Sequence, residues 1–198
     1  MSHPTIIRDN VDGHQNQYDV YSRLLEDRII CLDGVFEDGM ASIIVSQLLI
    51  LSNKSEEEIK IYINSPGGAV TSGLAIYDTM QMIPNVIKTI VIGHACSMGS
   101  FILSAGTKGH RYATPSSRIM IHMASVGMQG TTKDVEIRYK EQKRLNDYLN
   151  ERLATHCGKK IKEIEDATDR DKFMTAKESK EFGIIDDVLM PNNKTAWK

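Results

Sequence analysis

Ile87-Lys-Thr-Ile-Val-Ile-Gly-His-Ala-Cys-Ser-Met-Gly-Ser100 is the stretch of this chain that most restricts the possible folds. Its first part, as far as Gly93, is rich in β-branched apolar residues, which indicates a buried strand. Small residues then form a turn, and Met98 to Gly106 has the apolar pattern of a helix. A strand that passes through a short turn into a helix is the repeating unit of an α/β fold.

Short β-rich runs alternate with helical patterns on both sides of this stretch. Strands are predicted at Arg28 to Asp33, Ile59 to Asn64, His110 to Ala113, Arg118 to Met123 and Ile184 to Leu189. Helices are predicted at Met40 to Asn53, Thr71 to Met82 and Thr132 to Cys157. A further helix is predicted to begin at a capping box of Thr175 and Glu178 and to end at Gly183. This order predicts a mainly parallel sheet with helices on its faces, in a single domain spanning residues 1–198. Residues 1–20 and the end from Pro191 are polar and are expected to be mobile.

Composition excludes several classes of protein. The 198 residues are 41% hydrophobic and 25% charged with a net charge of -2, so neither nucleic acid nor an acidic membrane is expected as a partner. No apolar run reaches the ~20 residues of a membrane span, and the N-terminus has no signal-peptide core. Three widely spaced cysteines fit a reducing compartment and have no metal-ligand spacing. A cytoplasmic location and the absence of a metal are therefore expected.

Ser97 lies at the junction of the predicted strand and helix. There its hydroxyl is presented near unpaired helix N–H groups, which favour the oxyanion of an acyl-transfer reaction. The spacing Ala95-x-Ser97-x-Gly99 is similar to a nucleophile elbow, but an ordinary N-cap serine fits equally well. The motif Ser65-Pro-Gly-Gly68 also has two interpretations. It is a plain turn that ends its strand, or it places the Gly68 N–H where it binds an oxyanion together with the Met98 N–H.

A serine nucleophile needs a base and a group that orients the base. His122 lies within a predicted apolar strand, a position typical of a satisfied core histidine and equally of a rigidly held base. His94 is nearer to Ser97 along the chain, but a turn need not bring its ring to the hydroxyl. Three carboxylates follow later, at Asp166, Asp169 and Asp171. Composition does not choose among them, and such a cluster is usually a solvated loop.

Several segments together resemble the proteolytic subunit of Clp protease. They are Tyr18-Asp-Val-Tyr-Ser-Arg-Leu-Leu25, Ser65-Pro-Gly-Gly68, Ala95-Cys-Ser-Met-Gly99, Ser117-Arg-Ile-Met-Ile-His122, Thr168-Asp-Arg-Asp-Lys-Phe173 and Glu178-Ser-Lys-Glu-Phe-Gly-Ile-Ile-Asp186. Each motif is weak alone, but all stand in the family's order, from about residue 4 to residue 190. The resemblance implies the ClpP/crotonase-like fold, a spiral of βαβ units with a protruding handle helix.

The resemblance also assigns roles. It implies a serine endopeptidase with Ser97 as nucleophile, His122 as base and Asp171 as orienting group. The N–H groups of Gly68 and Met98 would hold the oxyanion. The order Ser, His, Asp differs from the Ser, Asp, His order of α/β-hydrolases. No cofactor is implied, because ATP belongs to the partner.

The family's assembly is two stacked heptameric rings that enclose a chamber for unfolded polypeptides, fed by a hexameric AAA+ unfoldase. The helix at 132–157 could by its pattern lie on the sheet or project; the resemblance identifies it as the family's handle. Asp169 and Arg170 match residues that pair across the rings, and residues 1–20 match the axial loops. The implied unfoldase cleft consists of Tyr62, Ile90, Tyr112 and Leu189, which by pattern alone are plain core residues.

The chain departs from the family pattern after the base. The family usually has Gln-Pro-Leu-Gly-Gly there, and this chain has Met123-Ala-Ser-Val-Gly127. The missing proline and Val126 lie on the edge that pairs with an extended substrate, so an altered substrate preference is expected. Two other interpretations of the chain remain open, a non-catalytic ring subunit and a crotonase-type acyl-CoA enzyme, which would not need the three side chains.

Overall fold

A computed structural model describes residues 5–9, 15–125 and 127–190 of the chain. β1 (Thr5–Asp9) and β2 (Gln15–Asp19) form an antiparallel pair of their own, which the polar composition of this segment did not predict. The main sheet contains β3 (Ile29–Phe36), β4 (Ile59–Gly68), β5 (Ile87–Cys96), β6 (Arg111–Ala113), β7 (Arg118–Ile121), β8 (Lys172–Thr175) and β9 (Asp187–Val188). Residues 1–4, 10–14 and 191–198 and Val126 lie outside the described part, so the predictions made for them are not addressed.

The main sheet divides at β5. Its strand order is β3-β4-β5-β6-β9, with all neighbours parallel. The first part of β5 pairs with β6 from Thr89 to Val91, and its last part pairs with β7 from His94 to Cys96. β8 then adds to β7 in the antiparallel direction. The prediction of a mainly parallel α/β sheet is therefore confirmed, and the branch carried by β7 and β8 lies next to the end of β5.

Three strands run further than predicted. β3 continues to Phe36 instead of ending at Asp33. β4 continues through Ser65-Pro-Gly-Gly68, so the interpretation of this motif as a turn is wrong. The strand persists because Val35 and Phe36 of β3 pair with Gly67 and Gly68 after a register shift. β5 likewise continues to Cys96, directly before Ser97.

The helices are α1 (Val20–Glu26), α2 (Asp38–Lys54), α3 (Val70–Met82), α4 (Met98–Ser104), α5 (Thr132–Cys157), α6 (Ile161–Thr168) and α7 (Ala176–Phe182). α5 has the predicted bounds and ends at Gly158 in the left-handed conformation. Its only buried residues are Leu153, Ala154 and Cys157, so its first turns project from the body, and its role as a handle stays a prediction. In the part of the chain that the structure describes, no helix is both long and apolar enough to cross a membrane.

Two elements near the end, α6 and β8, were not predicted. The acidic cluster expected as a solvated loop begins in α6, where Ile164 and Thr168 are buried, and Asp171 directly precedes β8. The predicted strand Ile184 to Leu189 is reduced to β9, because Ile184 and Ile185 are buried in the core rather than paired in the sheet. The capping box of Thr175 and Glu178 is present at the start of α7, which ends at Gly183.

A buried polar cluster supports α4 from behind. The Arg111 side chain, 1% exposed, makes a two-pronged ion pair with Asp186 at 2.7 and 2.9 Å. Its Nη1 also donates to the carbonyl oxygen of His156 at 2.9 Å. The His156 ring bonds the Ser104 hydroxyl at 3.0 Å and packs against Tyr77 and Phe101. These contacts join the last turn of α5 to α4.

The charge state of His156 makes stability depend on pH. Burial, with added repulsion from Arg111 and Arg152, lowers the pKa of His156 from 6.5 to about 4. Between these values the unfolded chain binds one proton more than the folded chain, so the free energy of unfolding falls as pH falls from about 6.5 to about 4. We expect a loss of ~3 kcal/mol over that window, which His156→Gln removes. Urea unfolding at several pH values measures it. His110→Gln, at a half-buried histidine on another part of the surface, serves as control. Equal pH slopes for wild type and His156→Gln would contradict the assignment.

Candidate active site

Ser97 has a strained backbone at the junction between β5 and α4. Its φ of 55° and ψ of -120° lie in a region that residues with a side chain rarely adopt. The Ser97 N–H donates to the Met120 carbonyl oxygen at 2.9 Å, which continues the pairing of β5 with β7. Its own carbonyl oxygen accepts the Phe101 N–H at 3.0 Å and the Ser100 hydroxyl at 2.7 Å. Ser97 occupies the N-cap position of α4, as the alternative interpretation expected, but its side chain makes no capping hydrogen bond.

His122 and Asp171 meet because of the strand register. Ile121 of β7 is paired with Lys172 of β8, so the next residue of one strand lies opposite the preceding residue of the other. The His122 Nδ1 is 2.9 Å from the Asp171 Oδ1, and the His122 Nε2 is 3.0 Å from the Ser97 hydroxyl oxygen. The structure thus brings together the three side chains to which the resemblance gave catalytic roles.

His122 lies one residue beyond β7 rather than inside a strand, which corrects the prediction of a strand to Met123. The ladder ends there because the Met123 N–H turns to the carbonyl oxygen of Thr168, at 2.7 Å, instead of β8. The His122 side chain is 27% exposed and that of Asp171 is 59% exposed. The site is therefore open to solvent on the side of the carboxylate, and Ser97 itself is half-buried.

The other described histidines are engaged elsewhere or lie apart from Ser97. His156 lies half-buried behind α4, where its ring bonds the Ser104 hydroxyl, and His110 contacts Glu58 at 3.0 Å. The His94 N–H donates to the Asn64 Oδ1 at 3.4 Å. Among residues 5–9, 15–125 and 127–190, only His122 hydrogen-bonds the Ser97 hydroxyl.

Backbone donors surround the position next to Ser97. Met98 is the first residue of α4, so its N–H has no acceptor within the helix. The Gly67 N–H is already bonded to the Ser65 hydroxyl oxygen at 3.1 Å. The Ala69 N–H donates to Phe36 of β3 at 2.9 Å. Because N–H directions alternate along an extended strand, the Gly68 N–H faces away from β3, towards the side of β5. Gly68 and Met98 are therefore the available pair of donors.

Gly67 is a site residue that the sequence analysis did not single out. Its φ is +97°, and a Cβ added there would lie 2.6 Å from the Cβ of Ser97. Both features require glycine. The paired glycines of Ser65-Pro-Gly-Gly68 were the available signal, but the sequence could not say which of the two contacts the serine.

A small apolar cavity adjoins the serine and the histidine. Its lining includes Met98, Phe101, Ile121, Leu149 and Leu153, together with Ala124 from the segment after His122. An apolar side chain of a bound peptide would be desolvated there.

The neighbouring cysteine has a raised pKa. Burial, with repulsion from Asp171 as the smaller cause, raises the pKa of the Cys96 thiol. The thiol is therefore mostly protonated near neutral pH, which disfavours it as a nucleophile beside Ser97.

A model of the Clp protease family matches residues 12–192 of the 198. The chain belongs to the Clp protease family. Membership of this family supports a ClpP-like peptidase, and the mixed α/β fold of the chain agrees with it. In this Clp protease family member, four of the six motifs from which the resemblance was drawn contribute residues to the site at Ser97: those at residues 65–68, 95–99, 117–122 and 168–173.

The residues of the predicted unfoldase cleft lie in one row on this Clp protease subunit. Tyr62 is paired with Ile90, and Ile90 with Tyr112, across three adjacent strands. Leu189 follows β9, whose Asp187 is paired with Tyr112. Ile90 is buried but lies outside the main core cluster, and Leu189 is 37% exposed. The row therefore lies on the sheet face that the main core does not use; its role as a docking cleft stays a prediction.

Asp169 and Arg170 are exposed beside Asp171. Their side chains are 67% and 91% exposed and contact each other at 3.4 Å. Both side chains therefore lie at the surface of the subunit and not in its interior. In the described residues, no cluster of three or more His, Cys, Asp or Glu side chains could hold a metal ion.

Gly67→Ala tests the close approach of β4 to the serine. We expect the added methyl group to displace Ser97 and to lower peptide cleavage by about 100-fold, since a displacement of ~1 Å at a reacting group costs that much. Hydrolysis of a fluorogenic peptide measures it. Gly39→Ala is the matched control, because its Cβ would meet nothing closer than 3.9 Å. Equal loss in both variants would refute the specific role of Gly67.

Proposed function

We propose that the chain is a serine endopeptidase that cleaves unfolded polypeptides with Ser97, His122 and Asp171. The observation that carries the proposal is the continuous hydrogen-bonded path from the Asp171 carboxylate through the His122 ring to the Ser97 hydroxyl, at 2.9 and 3.0 Å. These distances are within reach of proton transfer without rearrangement.

In the proposed mechanism, the His122 Nε2 takes the proton as the Ser97 oxygen attacks the substrate carbonyl carbon. Asp171 accepts the hydrogen bond from Nδ1–H, which keeps the unprotonated nitrogen towards the serine and stabilises the imidazolium. The N–H groups of Gly68 and Met98 receive the charge on the carbonyl oxygen. His122 then returns the proton to the leaving amine, and water hydrolyses the acyl-enzyme by the same steps in reverse.

The apolar cavity and the segment after His122 support a peptide substrate. In this proposal the small cavity would receive an apolar side chain next to the cleaved bond, and the Met123 to Ser125 segment would pair with the extended substrate. Because this segment differs from the family's usual sequence, we propose that substrate preference departs from that of typical members.

Family membership implies an oligomer that works with Clp ATPases. We propose two stacked heptameric rings, with the first turns of α5 at the junction between the rings. Ile137 and Tyr139 support this, because their side chains are 66% and 60% exposed on a projecting helix. Asp169 and Arg170 would contact the opposite ring, next to the catalytic Asp171.

We propose an AAA+ unfoldase as the partner, and the apolar row of Tyr62, Ile90, Tyr112 and Leu189 supports this. We also propose that the protein works in the cytoplasm. Hydrolysis of ATP would belong to that partner, and the proposed peptidase chemistry needs no metal or nucleotide. The intact side-chain path favours this function over a non-catalytic ring subunit. It also disfavours a crotonase-type enzyme, which has no need of a serine bonded to a histidine.

Ser97→Ala tests the nucleophile. We expect the wild type to react with a fluorophosphonate probe and Ser97→Ala not to react, and peptide cleavage to fall about 10⁴-fold or more because covalent catalysis is lost. Labelling is read by mass spectrometry and cleavage by a fluorogenic peptide. Ser46→Ala, on the exposed side of α2, is the control. If wild type and Ser97→Ala label equally, or neither labels, the proposed function is wrong.

Size exclusion with light scattering tests the assembly. We expect a particle far above the 22.2 kDa of one chain. Ile137→Glu should shift it to smaller species, because a charge replaces an exposed apolar side chain at the proposed ring junction. Lys140→Ala on the same helix is the control. A stable monomer that cleaves peptides would contradict the chamber.

A further inference from the structure

The segment that follows His122 is held by side chains of the projecting helix α5. The Ala124 N–H donates to the Asn146 Oδ1 at 3.1 Å, and the Asn146 Nδ2 donates to the Ala124 carbonyl oxygen at 3.2 Å. The Gln142 Nε2 donates to the same carbonyl oxygen at 2.7 Å. Both amides are half-buried and stand one helical turn apart, on one face of α5.

A primary amide is well suited to this contact. It presents a donor and an acceptor side by side, so Asn146 satisfies both backbone groups of one residue as a neighbouring strand would. The two contacts also fix which end of the Asn146 amide carries the oxygen, because the reverse orientation would oppose donor to donor and acceptor to acceptor. Few other side chains offer this combination in so short a span.

The contact between Asn146 and Ala124 also compensates for the absence of the family's usual proline at this position. Where the family usually has proline, which has no N–H and a fixed φ, this chain has Ala124. The alanine adds a donor that needs an acceptor and removes a constraint on the backbone. Asn146 supplies the acceptor and holds the freed peptide in place.

The clamped peptide is adjacent to the reacting groups. Ala124 lies two residues after His122 and lines the cavity beside Ser97. Between them, the Met123 N–H donates to the Thr168 carbonyl oxygen at 2.7 Å, and Met123 is 48% exposed. Further along α5, Leu149 packs against the core and lines the same cavity. Gln142 and Asn146 precede it, and their hydrogen bonds tie this more exposed part of α5 to the segment after His122.

We propose that Asn146, assisted by Gln142, is a positioning residue: it holds the Ala124 peptide so that the His122 ring stays in register with Ser97, and it thereby couples the projecting helix to the active site. The inference rests on the proposed function, since it concerns the same histidine. Movement of α5 along its axis would break the clamp and release the segment that carries the base.

The test compares Asn146→Ala with wild type and with Arg144→Ala. Arg144 is the control because its side chain is 74% exposed and pairs with Glu141 on the solvent side of the same helix. We expect Asn146→Ala to lower kcat and the rate of fluorophosphonate labelling by about tenfold each, with KM changed by less than about twofold, because both reactions need an aligned base. Hydrogen exchange at the Ala124 amide should become about tenfold faster.

The control measurements separate positioning from structure. Elution volume and thermal midpoint should match wild type, and Arg144→Ala should match it in every readout. If Asn146→Ala does not fold, Asn146→Asp decides, since it keeps the shape and the acceptor for the Ala124 N–H but replaces the donor to the Ala124 carbonyl oxygen with a charged oxygen. Wild-type kcat and labelling in the decisive variant would overturn the inference, as would a loss of kcat that appears only with a loss of assembly.

Failure of the inference is distinct from failure of the proposed function. If wild type does not label, the proposed function fails, and exchange at the Ala124 amide still shows whether Asn146 holds the peptide. If wild type labels and the variant labels equally fast, only the clamp is refuted.

Discussion

The strained backbone of Ser97 is the constraint on which the site depends. A residue with φ near 55° costs ~1–3 kcal/mol relative to ordinary conformations, so the surrounding structure must hold it. Three features do so: the strand bond from its N–H to Met120, the burial of every residue of α4, and the absence of a side chain at Gly67. The buried Arg111 and its half-buried partners His156 and Asp186 lie behind α4 and fix its other side. The position of the hydroxyl is thus determined by packing in the core rather than by the surface.

Much of this architecture follows from local sequence patterns. The bounds of α5 could be predicted because a long amphipathic run ends at a glycine that adopts the left-handed conformation. β8 could not, since a four-residue strand is too short to show alternation, and its pairing with β7 joins residues about fifty positions apart. α6 was missed because its polar residues have the composition of a loop and its burial depends on contact with α5. The motif Ser65-Pro-Gly-Gly68 was misread as a turn because pairing with β3 overrides the local preference of Pro and Gly.

The site shows the same division between local and distant signals. Composition offered three aspartates near residue 170, and the family resemblance selected Asp171. The register of β7 with β8 supplies the physical reason, since it sets only that residue opposite His122. Asn146 carried no signal, because its role depends on a through-space contact with a peptide that is 22 residues away in sequence. A polar residue on the surface of a long helix cannot be distinguished, by pattern, from its solvated neighbours.

The two halves of the proposed triad therefore differ in how firmly they are held. Ser97 is fixed by a buried helix, whereas Asp171 is 59% exposed and follows directly after the exposed pair Asp169 and Arg170. A hydrogen bond to an exposed carboxylate is weakened by competing water, so the half of the site that contains His122 and Asp171 gains most from any surface that covers it. The segment after His122 is tied to α5, the element that projects from the body. Contacts made by α5 and by the loop at Asp169 would then act on the base and its orienting group and leave the nucleophile in place, which is a physical route from ring assembly to peptidase activity.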